Sequence, residues 1–125
     1  MPTILPGAAF FLGMVYAPAR EMMEAGLPVA LASDYNPGSC PSGNMQFVLS
    51  MGCIKYGMIP EEAINAVTIN SAYAMGVEEE LGTITKGKIA NFFITKPIST
   101  IEFMPYAYGS NKVETLFLRG KRIIG

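Results

Sequence analysis

The chain of 125 residues contains no histidine and no tryptophan, and Asp34 is its only aspartate. Without histidine, neither an imidazole base nor a histidine-rich metal site can be complete within these residues. The two cysteines, Cys40 and Cys53, have the spacing of neither a disulfide framework nor a zinc finger. We therefore expect reduced thiols and a cytoplasmic location.

Long apolar runs and a strong net charge are also missing. The longest apolar run, residues 4–17, is broken by proline and glycine and is too short to cross a bilayer, so no membrane partner is expected. A net charge of -1 gives no reason to expect nucleic acid. Residues 1–81 carry eight acidic and two basic side chains, whereas residues 82–125 carry two acidic and seven basic ones. We interpret these as two complementary subregions, with a basic binding face as the alternative.

The chain is rich in apolar residues, and their spacing indicates both strands and helices. Half of its residues are hydrophobic and only 15% are charged, which excludes a disordered chain. This composition is apolar for a free-standing domain of this size. We therefore expect that the chain either buries faces against a partner or belongs to a larger fold.

The first third of the chain predicts a strand, a helix and a second strand with short connections. A short apolar strand at residues 3–5 ends at a Pro-Gly pair, and a helix from Pro18 ends at Gly26. The apolar run Pro28–Ser33 then predicts a strand that is buried on both faces. This order is typical of a parallel α/β sheet, in which reactive groups lie at the carboxyl ends of the strands, where Asp34 follows.

The remainder predicts helices and then strands. Apolar residues at three- and four-residue steps indicate a helix over residues 45–56, and two shorter helices are expected to begin near Pro60 and Asn70. From Gly82 the pattern changes to short β-rich runs, and residues 112–125 predict a hairpin that turns at Arg119-Gly-Lys. The change of character predicts a boundary between residues 1–81 and residues 82–125.

Asp34 is the leading candidate for chemistry. A lone aspartate after a strand is often only a turn former, and that alternative stays open from the local pattern. The loop that follows, Tyr-Asn-Pro-Gly-Ser, offers the Asn36 amide, close backbone approach at Gly38 and backbone N–H groups that we expect to be free for an anion.

Several segments together resemble the imidazolonepropionase family of the amidohydrolase superfamily. They are Leu5-Pro-Gly-Ala, Ala32-Ser-Asp-Tyr-Asn-Pro-Gly-Ser, Pro60-Glu-Glu-Ala through Asn70-Ser-Ala, and Gly82-Thr-Ile-Thr-Lys-Gly-Lys-Ile-Ala-Asn, the last similar to the strand that returns after the barrel. The resemblance covers essentially the whole chain but only the C-terminal third or so of such an enzyme.

The resemblance implies the C-terminal part of a (β/α)8 barrel at residues 1–81 and C-terminal strands of a small composite β domain at 82–125. It implies a zinc or iron enzyme that hydrolyses 4-imidazolone-5-propanoate to N-formimidoyl-L-glutamate in histidine degradation. Asp34 would be a metal ligand and the catalytic base, and Asn36, Gly38 and Ser39 would bind the substrate. The family's metal-binding histidines fall outside these residues, so the chain alone is expected to hold no metal and to be inactive.

Two alternatives remain open. The chain is also compatible with a fragment of another metal-dependent cyclic amidohydrolase or deaminase, or with a non-catalytic domain that binds another protein. As a piece of a barrel it is expected to self-associate through unpaired strand edges. The helix face that carries Met45, Val48, Leu49 and Tyr56 is expected to be exposed by the lack of its neighbours.

Overall fold

The computed structural model describes residues 1–124. Its helices and strands, in chain order, are β1 (Thr3–Ile4), α1 (Pro6–Phe11), α2 (Ala19–Glu24), β2 (Ala30–Leu31), α3 (Met45–Tyr56), α4 (Pro60–Val67), α5 (Ile69–Ala74), β3 (Phe92–Thr95), α6 (Phe103–Tyr106), β4 (Val113–Leu118) and β5 (Lys121–Ile124). No helix within the described residues is long and apolar enough to cross a membrane.

Strands β1 and β2 pair in parallel, which confirms the predicted strand–helix–strand unit. The paired stretch is shorter than the apolar run suggested: Thr3 pairs with Ala30 and Ile4 with Leu31. Helix α1 was not predicted: the Pro-Gly pair that we interpreted as a strand terminator lies in the first turn of a helix, where proline is well tolerated. Helix α2 ends before Gly26, whose φ of 81° is left-handed.

Helix α3 has the bounds that the periodicity predicts. At its start the Asn44 side chain accepts a hydrogen bond from the Phe47 N–H at 3.1 Å, so one of the unpaired donors of the first turn is satisfied. At its end Gly57 adopts a left-handed φ of 67°. The chain turns there and returns as α4, which packs against α3.

The expected exposure of the α3 face was wrong. Val48, Leu49 and Tyr56 are 1%, 6% and 4% exposed, and of the four residues only Met45 remains at the surface. The reason is that the chain covers this face itself, since α4, α6 and β2 all pack against α3. Exposed apolar residues occur along the chain, and five of them lie close together in sequence, in α1 and the segment after it: Phe10, Phe11, Leu12, Met14 and Val15.

The tail forms an antiparallel sheet in the order β3–β4–β5. The strand predicted over residues 82–91 is not formed: this stretch is made of turns, with positive φ at Gly82 and Gly87, and the first strand begins at Phe92. The predicted hairpin turn is confirmed at Arg119 and Gly120, both with left-handed φ. Asn91 Oδ1 accepts the Arg119 N–H at 2.8 Å, which connects the turn segment to the hairpin.

An ion pair between Arg20 and Glu62 connects α2 to α4. The Arg20 guanidinium also donates to the Gly57 carbonyl, and the Ile59 N–H donates to Glu62 Oε2 at 2.9 Å. The hydrogen bond from Arg20 is the main cause that lowers the pKa of Glu62 below its ordinary value, and the bond from Ile59 acts in the same direction. Both side chains remain about one-third exposed, so solvent screens the pair.

Acidification should therefore weaken the fold modestly. The pKa of Glu62 is lower in the folded state than in the unfolded state. Ionised Glu62 therefore stabilises the fold at pH values above its unfolded-state pKa of about 4.3, and this stabilisation is lost as the pH falls through its folded-state pKa. Thermal unfolding of the wild type and Glu62→Gln should differ most near neutral pH and converge in acid. An equal difference at all pH values would contradict this assignment.

Candidate functional site

The candidate site is the loop that follows the carboxyl end of β2. Asp34 lies three residues after the strand, is exposed to solvent and has a left-handed φ of 51°. Helix α1 follows the neighbouring strand and packs beneath the same loop: a Cβ atom on Gly7 would lie 2.5 Å from Cys40 Sγ and 3.4 Å from the Ser33 carbonyl oxygen. The loop is therefore seated on α1 by a contact that only glycine permits at this position.

The Asn36 side chain organises the loop. Its Oδ1 accepts the N–H groups of Gly38 and Ser39 at 2.9 and 2.8 Å. Its Nδ2 donates to the Asp34 carbonyl and to Ser39 Oγ, both at 2.7 Å. A pair of backbone hydrogen bonds between Asn36 and Cys40, at 2.9 and 3.3 Å, closes the base of the loop.

Ser39 connects this network to the carboxylate. Its hydroxyl donates to Asp34 Oδ2 at 3.2 Å while it accepts from Asn36 Nδ2. The structure thus brings together all four residues that the sequence singled out: Asp34, Asn36, Gly38 and Ser39. The expectation of free backbone N–H groups is wrong for Gly38 and Ser39, because Asn36 occupies both, and the substrate-binding assignment itself stays a prediction.

The sequence did not point to Gly7 or Cys40 as parts of this site. Cys40 is buried, and its thiol donates to the Ser42 carbonyl at 3.3 Å. Both residues act through a contact between α1 and a loop more than thirty positions later, for which the local pattern holds no signal. A cavity of about 380 Å³ lies on this apolar side of the loop and is lined in part by Gly7 and Cys40, but not by Asp34.

The described residues do not make a metal site on their own. Among residues 1–124, no three histidine, cysteine, aspartate or glutamate side chains are grouped so that they could hold an ion. A catalytic zinc centre uses about three protein ligands, and the loop offers one exposed carboxylate. The fit is therefore partial: Asp34 could serve as one ligand, and the remaining ligands would have to come from outside these residues.

The sequence profile of the amidohydrolase family matches residues 10–123. The imidazolonepropionase of Flavobacterium johnsoniae is 60% identical over 123 residues, which are 98% of this chain and 30% of that relative. The imidazolonepropionase of Alkaliphilus oremlandii is 47% identical over 125 residues, 99% of this chain and 29% of that relative. The chain thus spans about a third of the length of these curated relatives.

Solved structures show the same fold at low sequence identity. A zinc-bound adenosine deaminase from Xanthomonas campestris superposes with a TM-score of 0.85 at 20% identity, over 98% of this chain and 31% of that chain. The guanine deaminase of E. coli superposes with a TM-score of 0.74 at 17% identity, over 97% of this chain and 32% of that chain. Since the family profile matches most of the residues and the fold agrees, this chain belongs to the amidohydrolase family.

Proposed function

We propose that these residues are the C-terminal part of an imidazolonepropionase, which hydrolyses 4-imidazolone-5-propanoate to N-formimidoyl-L-glutamate in histidine degradation. The observation that carries the proposal is the high identity to imidazolonepropionases over nearly the whole chain. Relatives with the same name recur at lower identity, which favours this function over that of another cyclic amidohydrolase or deaminase.

In this proposal residues 1–81 are the end of a (β/α)8 barrel, with β1 and β2 as its last two strands. Residues 82–125 are the C-terminal strands of a small composite β domain. The parallel pairing of β1 with β2 and the antiparallel order β3–β4–β5 support this division. The location of Asp34 after the last parallel strand agrees with the general rule that barrel enzymes build their sites at the carboxyl ends of strands.

Asp34 is the proposed general base. The substrate is a cyclic amide, so hydrolysis adds water to the ring carbonyl carbon and breaks the bond between that carbon and the ring nitrogen. Asp34 takes a proton from the attacking water and then gives it to the departing nitrogen, so that it ends the cycle ionised. A zinc or iron ion, bound in part by Asp34, would supply Lewis acidity and lower the pKa of the water.

The loop at residues 36–39 is proposed to contact the propionate-bearing substrate or its product. Gly38 is exposed and has no side chain, so a ligand can approach its backbone closely. The partner of the protein in this reaction is its small-molecule substrate. The proposed location is the cytoplasm, where histidine is degraded.

A chimera tests the proposal. In it, the matching 123 residues of the F. johnsoniae relative are replaced by those of this chain. If the chain is the C-terminal part of an imidazolonepropionase, the chimera should hydrolyse 4-imidazolone-5-propanoate, and the relative truncated before this segment should not. A folded chimera without activity would contradict the proposal.

The chain by itself should be inert. It offers one of about three ligands that a mononuclear site needs, so neither stoichiometric metal nor hydrolysis is expected. Elemental analysis of the purified chain, with the assay run in added zinc and in added iron, measures both properties. Tight one-to-one metal accompanied by turnover would show that the described residues suffice for catalysis.

The chain by itself should also associate with further copies. Phe10, Phe11 and Val15 are 57%, 55% and 95% exposed, and exposed apolar surface promotes association. The open edges of β1 and β3 add unpaired backbone groups. Sedimentation at micromolar concentration should show oligomers, which Phe10→Ser with Val15→Ser should reduce. A wild-type chain that sediments as a monomer would contradict this expectation.

A further inference from the structure

All hydrogen-bonding groups of the Asn36 side chain are engaged within its own loop. A carboxamide can donate two hydrogen bonds and accept two, and here both donors and both acceptor positions are engaged within the loop. One of these bonds, from Nδ2 to the Asp34 carbonyl, holds the backbone of a non-glycine residue in the left-handed region. In this arrangement the Asn36 side chain orders the loop.

The Ser39 hydroxyl is oriented by the same side chain. Asn36 Nδ2 donates to Ser39 Oγ at 2.7 Å, so this oxygen serves as an acceptor toward Asn36 and its single hydrogen is directed elsewhere. Asp34 Oδ2 lies 3.2 Å from Ser39 Oγ and accepts the hydrogen bond that this hydroxyl donates. The result is a chain of donors that runs from Asn36 through Ser39 to the carboxylate.

We propose that Ser39, oriented by Asn36, is a positioning residue for Asp34. By engaging Oδ2 it restricts rotation of the carboxylate and presents Oδ1 to the attacking water. The inference rests on the proposed function and deepens it, because it assigns Ser39 an effect on the chemical step through Asp34, separate from any contact with substrate.

Ser39→Ala in the chimera removes the donor to Asp34. A hydrogen bond to a charged group is typically worth a factor of about 10 to 100, so kcat should fall by that factor, whether or not KM also rises through the proposed substrate contact of the loop. Ser39→Thr keeps the hydroxyl and should restore most of the loss. Ser42→Ala is the matched control, because Ser42 lies in the same loop and its Oγ contacts the Asn44 N–H instead of Asp34; it should leave both constants unchanged.

A second readout does not depend on turnover. Residues that orient a metal ligand typically affect metal affinity by about 10- to 100-fold. Zinc affinity of the chimera, measured by competition with a chelator, should therefore fall for Ser39→Ala and be kept in Ser39→Thr and Ser42→Ala.

Two results would overturn the inference while leaving the proposed function intact. One is a Ser39→Ala chimera with raised KM and unchanged kcat, which would mean that the hydroxyl binds substrate directly. The other is a Ser39→Ala chimera in which both kcat and the zinc affinity are unchanged. An inactive unsubstituted chimera is a different failure, since it contradicts the proposed function and removes this inference with it.

Discussion

Asp34→Asn in the chimera is expected to lower kcat by about 100-fold or more, with little change in KM. The amide has nearly the shape of the carboxylate but cannot take a proton from water. The fold should not suffer, because Asp34 is exposed and asparagine tolerates the left-handed conformation found at this position. The loss should therefore be confined to the chemical step and to metal retention.

Steady-state kinetics together with thermal unfolding separate chemistry from stability in this experiment. Glu79→Gln is the matched control, since it removes an exposed carboxylate far along the chain from the loop. It should leave kcat and the unfolding midpoint unchanged. A near-normal kcat for Asp34→Asn would mean that Asp34 only forms the turn after β2.

Gly82→Ala is expected to destabilise the chain far more than Gly87→Ala. Both glycines have positive φ, 91° and 97°, so both substitutions carry a similar backbone cost. At Gly82, however, the added Cβ would lie 2.7 Å from Ala72 Cβ and 3.0 Å from Ile69 Cα, whereas nothing lies within 4 Å at Gly87. The extra cost of such overpacking is about 1–3 kcal/mol.

Urea unfolding of the two variants at equal protein concentration measures this difference. The comparison also tests how residues 82–91 pack, because Gly82 lies against Ala72 and Ile69 of α5. Equal losses of stability in the two variants would show that this segment is not packed on α5 as the structure has it.

Local patterns predicted helix α3, from the periodicity of its apolar residues, and the hairpin, from its turn residues. Helix α3 begins at the Asn44 cap and ends at the left-handed Gly57, and the hairpin turns at Arg119 and Gly120. Helix α1 escaped prediction because a Pro-Gly pair is compatible both with the end of a strand and with the first turn of a helix. Which of the two forms depends on packing against the loop near Cys40, and that contact is not local.

Burial and hydrogen-bond partners were harder to predict than element type. The apolar face with Val48 and Leu49 was recognised, but whether the chain covers its own face depends on where α4 and α6 return. Similarly, the loop residues around Asp34 were identified by type. The hydrogen bonds within the loop were not predicted, because nothing in the local pattern indicates that Asn36 Oδ1 accepts the N–H groups of Gly38 and Ser39.

The most direct test of the central claim is the substrate preference of the chimera. Purified chimera would be assayed with 4-imidazolone-5-propanoate, adenosine and guanine, beside a control chimera that carries the matching segment of the X. campestris adenosine deaminase. We expect kcat/KM for 4-imidazolone-5-propanoate within about tenfold of the F. johnsoniae relative, no deamination, and an inactive control. A folded chimera that leaves 4-imidazolone-5-propanoate intact, or that prefers a nucleoside or a purine base, would contradict the claim.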